Sequence, residues 1–182
     1  MLRQASGRLI GLEALLRWQH PRFGLLPPAR FLPILESSGL IHSAGEWVIE
    51  TACRQLAGWQ RQFELPDLSI AINISPQQLM HKRLADVMKK TLADTMLDPG
   101  CVEIEIGEGD IVRKRSAELE TLRKLRKLGV RLSLDHFGTC DVSFESLDNG
   151  FVDSFVLDQS LIIDVEENDS HQRIVRAGVR NR

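Results

Sequence analysis

Residues 116–136 have the sequence SAELETLRKLRKLGVRLSLDH, and this stretch holds one complete helix-to-strand unit. Within residues 116–128 a leucine recurs at every third position, which predicts a capped helix with one apolar stripe. Gly129 follows, where a left-handed helix end is easiest to form. The alternation of residues 130–134 then predicts a short buried strand. That strand ends at Asp135, a side chain that is costly to bury and is therefore a candidate for function.

The same succession of short apolar runs and longer helical patterns extends along the whole chain. Further strands are predicted at residues 9–16, 68–74, 102–106 and 155–157. Further helices are predicted at residues 28–38, 44–62, 77–95 and 169–178. Repeated strand–helix units with short links predict an α/β fold with mostly parallel strands and right-handed crossovers.

Composition narrows the classes of protein that fit. The 182 residues are 43% hydrophobic and 26% charged, which is typical of one globular domain. A net charge of -2 and a pI near 6.2 provide no overall basic field for nucleic acid or an anionic membrane, and we expect neither as a partner. Three scattered cysteines without a metal-binding spacing, and no apolar run long enough for a membrane span, predict a cytoplasmic protein.

Polar side chains mark the carboxyl ends of four predicted strands. They are Glu13, Asn73, Glu105 and Asp135. The carboxyl ends of parallel strands meet at one rim, and oxygen donors gathered there suit a hard cation such as Mg²⁺ or Mn²⁺. The alternative for each residue is that solvent or a backbone group satisfies it. Glu103 shares a strand face with Glu105, but only Glu105 is close enough to the rim.

The motifs that surround these residues resemble a known family. In chain order they are GLEALLRWQHPRFGLLPPARFLPILESSGLI, NISPQQL, EIEIGE, LDHFGT and VDSFVLD. Together they are similar to the EAL domain, the cyclic-di-GMP phosphodiesterase family, from about residue 6 to about residue 177. The resemblance implies a partial TIM-like (βα) barrel with about five of its eight strands. It also implies a reaction in which two divalent ions activate a water that opens the dinucleotide to pGpG.

Carried over motif by motif, the resemblance assigns roles to individual positions. Glu13, Asn73, Glu105 and Asp135 match the family's ligands for the first ion, which would be Mg²⁺ or Mn²⁺. Arg17 matches a residue that contacts the ligand's phosphate, for which a guanidinium is well suited. A salt bridge at the rim is the alternative role for Arg17.

Several departures from the family pattern weigh against catalysis. His136 replaces a second acid, a ligand of the second ion; imidazole suits transition metals better than Mg²⁺, so a neutral polar role is the alternative. Val156 replaces a lysine that orients water and charge. Cys140 stands at a glycine position in the loop over the metals, and Gly107 at a threonine position. We therefore assign no catalytic residue.

Residues 1–182 are expected to form an incomplete EAL domain that lacks the first strand and the last two βα units, including the segment with the general-base glutamate. The expected function is a degenerate module of cyclic-di-GMP signalling, without catalysis. It would bind the dinucleotide, bind a protein or self-associate through open sheet edges, or be a gene remnant. The alternative is an active metal-dependent phosphodiesterase.

Two further groups of residues receive structural rather than functional interpretations. The basic side chains Arg123, Lys124, Arg126 and Lys127 are expected on the solvated outer face of their helix, not on a nucleic acid. The aromatic residues Trp18, Phe31, Trp47 and Trp59 are expected to be core or helix-packing residues, with a guanine-stacking role as the alternative. His20 is interpreted as a turn residue.

Overall fold

Five parallel strands form one curled sheet in the computed structural model, which describes residues 9–107, 116–137 and 152–163 with residues 165, 168 and 172. The strands are β1 (Gly11–Ala14), β4 (Ser69–Asn73), β5 (Val102–Gly107), β6 (Arg131–Phe137) and β7 (Ser154–Leu157), in the order β1-β4-β5-β6-β7. Each lies beside the next one in this series, as in a partial TIM-like barrel. A separate antiparallel hairpin consists of β2 (Trp18–His20) and β3 (Gly24–Leu26).

Helices lie between successive strands of this sheet from β1 to β6, follow β7, and pack against one face of the sheet. They are α1 (Leu32–Ser38), α2 (Ile41–Gln62), α3 (Pro76–Leu79), α4 (Leu84–Thr95), α5 (Ser116–Lys127) and α6 (Gln159–Ile163), with short 3-10 helices at Pro28–Arg30 and Pro99–Cys101. Right-handed crossovers between neighbouring parallel strands place consecutive helices on the same side.

The main core lies between this helical layer and the sheet. Alternate strand residues face the helices, and they include Ile70, Ile72, Ile104, Ile106 and Leu132. Their helical partners include Ile49, Leu56, Met88, Leu92 and Leu125. The other set of alternate residues lies on the opposite, inner face of the sheet, and most of these are polar or small. We use "inner face" for this set: Gly11, Glu13, Ser69, Ala71, Asn73, Glu103, Glu105, Arg131, Ser133 and Asp135.

The predicted strands and most helices are confirmed with small shifts in their ends. Gly129 has φ +91°, the left-handed conformation expected after the leucine-striped helix. The predicted helix 77–95 is wrong as a single element because the chain leaves helical geometry between α3 and α4. The predicted helix 169–178 lies outside the described residues except for residue 172.

The hairpin of β2 and β3 was not predicted, and two of the aromatic residues expected in the core or in helix packing are exposed. Trp18 on β2 and Trp47 on α2 are 43% and 58% exposed, whereas Phe31 is 4% exposed and belongs to the core. His20 does act at the turn: its Nδ1 accepts hydrogen bonds from the backbone N–H groups of Arg22 and Phe23. The basic residues of α5 are exposed as expected.

Two cysteines among the described residues are buried free thiols. Burial raises the pKa of the Cys53 thiol to about 11. The pKa of Cys101 is also raised, chiefly by burial. Both thiols therefore stay protonated near neutral pH. Cys140 lies outside the described residues. Within the described ranges, no helix combines the length and apolar character needed to span a membrane.

Candidate metal centre

A direct side-chain hydrogen bond in the candidate site joins Glu13 to Asn73. The Asn73 side-chain amide Nδ2 donates to Glu13 Oε1 over 2.8 Å. Both residues are exposed, and they lie at the carboxyl ends of β1 and β4, which pair in parallel. Because the amide nitrogen donates to the carboxylate, the amide oxygen and the second carboxylate oxygen are the atoms suited to a cation.

Glu105 lies on the next strand, directly opposite Asn73 in the β4–β5 register. It is only 6% exposed, which is unusual for a glutamate. The backbone holds this position firmly, since Ile74 N donates to the Glu105 carbonyl over 3.0 Å. The structure therefore places three of the four predicted oxygen donors on adjacent strands at the same end of the sheet.

Asp135 completes the series on β6, where it pairs in register with Gly107. It is therefore two residues nearer the carboxyl end than Ser133, the register partner of Glu105. Among the described residues, however, no three His, Cys, Asp or Glu side chains are close enough together to hold a metal ion. The arrangement includes the hydrogen-bonded pair of Glu13 and Asn73 and the carboxylates of Glu105 and Asp135 on the neighbouring strands. Its oxygen-only donor set fits a hard divalent cation.

Arg17 follows β1 by three residues and is exposed. Its Nη1 donates to the carbonyl of the preceding residue, Leu16, over 2.7 Å. A guanidinium has five N–H donors, so this bond uses only part of its capacity. The group can thus offer a forked pair of donors to a phosphate near the end of β1.

The departures from the family pattern lie in different parts of the fold. His136 is in β6, immediately after Asp135, and its side chain lies outside the described structure. Val156 is half-buried on β7, next to β6. Gly107 is the last residue of β5.

The segment that follows Asn73 is fixed by a buried glutamine, which sequence reasoning did not single out. Ser75 and Gln78 form a reciprocal capping box at the start of α3, and Gln78 Nε2 also donates to the Ile41 carbonyl over 3.2 Å. Gln78 passes over Gly45 of α2, where any Cβ would overlap its Nε2. The sequence Ser-Pro-Gln-Gln carries a capping signal, but the contact with α2 depends on the tertiary fold.

A second polar cluster on the inner face was also missed. Glu103 Oε2 lies 3.2 Å from Arg131 Nη2, and Glu103 Oε1 accepts a 3.0 Å hydrogen bond from Ser154 Oγ. These contacts link β5, β6 and β7. Opposite charges on two strands can be noticed in a sequence, but which residues face each other depends on a register that the sequence does not state.

A groove of about 360 Å³ lies on the outer side of β1, between that strand and α2. Its lining includes Leu12, Leu16, Trp47, Val48 and Trp59, and both Glu13 and Arg17 contribute to it. The candidate site and this largely apolar groove therefore share the same strand.

Comparison with known proteins agrees with this architecture. The EAL domain family matches residues 1–180. An uncharacterized signaling protein of Caulobacter vibrioides is 37% identical over 177 residues, which are 97% of this chain and 21% of that protein. The bifunctional diguanylate cyclase/cyclic di-GMP phosphodiesterase MucR of Pseudomonas aeruginosa is 37% identical over 172 residues, 94% of this chain and 25% of that protein. The chain thus spans about a quarter or less of the length of these relatives.

Solved structures show the same relationship in three dimensions. The PaMucR phosphodiesterase in its c-di-GMP complex superimposes with a TM-score of 0.86 at 36% identity, covering 99% of this chain and 72% of that one. The EAL enzyme Bd1971 in its cAMP- and cyclic-di-GMP-bound form gives 0.85 at 25% identity, covering 97% and 48%. The partial barrel of five parallel strands and its helices match these solved EAL structures, and the chain belongs to the EAL domain family of cyclic-di-GMP signalling.

Proposed function

We propose that this chain binds a divalent cation and cyclic-di-GMP at the carboxyl ends of β1, β4, β5 and β6, without hydrolysing the dinucleotide efficiently. The observation that carries the proposal is the 2.8 Å contact between Asn73 and Glu13, with Glu105 in register on the next strand. This contact pre-orients two oxygen donors from separate strands, which lowers the cost of gathering them around an ion.

Glu13, Asn73, Glu105 and Asp135 would hold the cation, Mg²⁺ or Mn²⁺. Such an ion, when bound, neutralises charge on a phosphodiester and polarises its phosphorus. The chain's own contribution is to hold anionic and amide oxygens at one edge of a rigid sheet. Buried Glu105 is central to this, since a carboxylate with little access to water gains most from a cation nearby.

Arg17 supports binding of an anionic dinucleotide. Its exposed guanidinium lies shortly after β1, close in sequence to the Glu13 carboxylate. Cation and guanidinium together would engage one phosphate from two sides. Two similar chains of known structure, PaMucR and Bd1971, contain cyclic-di-GMP.

The proposed lack of efficient hydrolysis follows from two side chains. His136 replaces a carboxylate with an imidazole that binds Mg²⁺ poorly, which weakens a second ion site. Val156 has no group that can orient a water or stabilise developing charge. Residues 1–182 would then act as one EAL-type binding unit. Protein binding or self-association through the outer strands β1 and β7 stays a separate prediction, which sedimentation analysis can measure.

An active phosphodiesterase is the second candidate. The observation in its favour is the similarity to MucR and to the PaMucR phosphodiesterase structure, at 37% and 36% identity. The two candidate functions differ in whether the linear product pGpG is formed, which only the phosphodiesterase would do efficiently.

Calorimetry and product analysis on the same sample separate these functions. We expect the chain to bind Mn²⁺, then cyclic-di-GMP in the presence of Mn²⁺, with no pGpG detected by chromatography beyond a metal-free control. Glu13→Gln should abolish most of the Mn²⁺ heat, whereas Glu50→Gln, on the exposed surface of α2, should leave it unchanged. Absence of any heat with the native chain contradicts the binding proposal, and pGpG formation favours the enzyme.

A further inference from the structure

The inner face carries an ion pair directly below the candidate metal centre. Arg131 Nη2 lies 3.2 Å from Glu103 Oε2, and the other carboxylate oxygen of Glu103 accepts from Ser154 Oγ over 3.0 Å. The Glu103 side chain is only 14% exposed. The Nε of Arg131 is buried without a hydrogen-bond partner in the described part of the chain. The carboxylate of Glu103 thus forms an ion pair with this guanidinium.

The register fixes how this pair lies relative to the proposed ligands. Glu103 on β5 lies opposite Arg131 on β6. Along both strands this pair comes two residues before the pair of Glu105 and Ser133. Side chains two residues apart on a strand share a face and are separated by roughly 7 Å. The guanidinium and carboxylate are therefore close enough to the metal centre to act on a divalent charge there.

The signs of these charges determine their effects. The positive charge of Arg131 repels a divalent cation bound above it, and the negative charge of Glu103 cancels that repulsion. At roughly 7–10 Å, with a dielectric constant close to that of water at the exposed end of the sheet, one unit charge changes the affinity for a divalent ion by about three- to tenfold.

We propose that Glu103 is a positioning residue of the metal centre, one that compensates the charge of Arg131 and so maintains the site's affinity for a divalent cation. The inference rests on the proposed function. It concerns a residue that would not touch the ion and acts through Arg131.

Three variants of the full chain test this role, with Mn²⁺ affinity as the measurement. Glu103→Gln is expected to lower the affinity about three- to tenfold, because Arg131 is left uncompensated. Arg131→Gln is expected to raise the affinity by a similar factor. The double variant, Glu103→Gln with Arg131→Gln, should return to within about twofold of the native value. Added salt should shrink these differences.

A purely structural role for the pair gives a different pattern. Loss of either partner would then loosen the sheet, and both single variants would bind Mn²⁺ more weakly, with no recovery in the double variant. That outcome, or an unchanged affinity in Glu103→Gln, overturns the inference. If Glu103→Gln does not fold, Arg131→Gln decides alone, since weaker or unchanged binding refutes the charge argument.

The same titrations distinguish this inference from the proposed function. If the native chain binds no Mn²⁺, the proposed metal centre fails, and the inference fails with it. If the native chain binds Mn²⁺ and the Glu13→Gln variant does not, the proposed metal centre is supported. The Glu103 and Arg131 variants then test the further inference by itself.

Discussion

The carboxamide of Asn73 donates to the carboxylate of Glu13 over 2.8 Å, although the two residues are 60 positions apart in the chain. The contact crosses from β4 to β1 at the end of the sheet where the other proposed ligands lie. An amide that donates to one ligand and offers its oxygen to the ion can orient both. Loss of this amide should therefore lower the affinity for the cation more than it lowers the stability of the fold.

Asn73→Ala is expected to lower Mn²⁺ affinity by about ten- to a hundredfold, the range found for residues that orient metal ligands. Thermal stability should change little, because Asn73 is exposed. Calorimetry measures the first effect and a melting curve the second. Gln62→Ala, which removes an exposed amide at the end of α2, is the control and should have neither effect. Equal Mn²⁺ binding by the two variants would contradict a role for Asn73.

His136→Asp is expected to raise the affinity for Mg²⁺ several-fold, because a carboxylate adds negative charge and a hard oxygen donor. His136→Asn separates the two contributions, since it adds an oxygen without a charge and should gain less. Titration with Zn²⁺ checks the opposite trend. The ratio of Zn²⁺ affinity to Mg²⁺ affinity should fall in His136→Asp, because Zn²⁺ is the softer ion. A Mg²⁺ affinity that does not change would show that residue 136 does not face the ion.

Two glycines of α2 form a matched pair for stability measurements. Gly45→Ala should destabilise the fold by about 1–2 kcal/mol, because a Cβ there displaces Gln78 and its buried hydrogen bond to Ile41. Gly58→Ala meets nothing within 4 Å and should stabilise by up to about 1 kcal/mol through helix propensity. Urea unfolding measures both changes. If Gly45→Ala is as stable as Gly58→Ala, Gln78 does not anchor α3.

The buried thiol of Cys53 predicts a loss of stability at alkaline pH. Burial raises its pKa to about 11, from the 9.0 of an ordinary cysteine thiol. The unfolded chain therefore loses this proton first, and the free energy of unfolding falls as the pH rises from about 9 toward 11. The slope for one such group approaches about 1.4 kcal/mol per pH unit.

Urea unfolding at pH 8 and pH 10 measures this dependence, and Cys53→Ala provides the comparison. The variant will be less stable at pH 8, since it leaves a cavity in the core. The difference between the two chains should shrink at pH 10. A constant difference at both pH values would mean that Cys53 does not contribute to the alkaline loss.

The five-stranded sheet could be predicted from sequence because its strands are continuous apolar or alternating runs, such as SIAIN and VEIEIG. The hairpin of β2 and β3 could not be predicted from the sequence. Each of its strands has three residues, too few to establish a period of two. The break between α3 and α4 was missed for another reason: Met80, His81 and Lys82 include no glycine or proline to signal it.

For the candidate site, the sequence could predict which residues lie at the carboxyl ends of the strands, but not the contacts between their side chains. Side-chain alternation and parallel pairing suffice to place Glu13, Asn73 and Glu105 at one edge of a sheet. The bond between Asn73 and Glu13 depends on rotamers, and the pairing of Glu103 with Arg131 depends on register. Both are properties of the assembled sheet. The exposure of Trp18 and Trp47 could not be predicted from sequence, because large aromatic residues are usually buried when a core is available.

The division of the sheet into a helix-covered side and an inner face has an evolutionary consequence. Residues that stabilise the fold occupy one set of alternate positions, and residues capable of chemistry occupy the other. Substitutions in the second set can accumulate with little loss of folding free energy, so activity can decay long before the scaffold does. A scaffold with this design can therefore alter the chemistry of its inner face through a few point changes, while the core between the sheet and the helices stays the same.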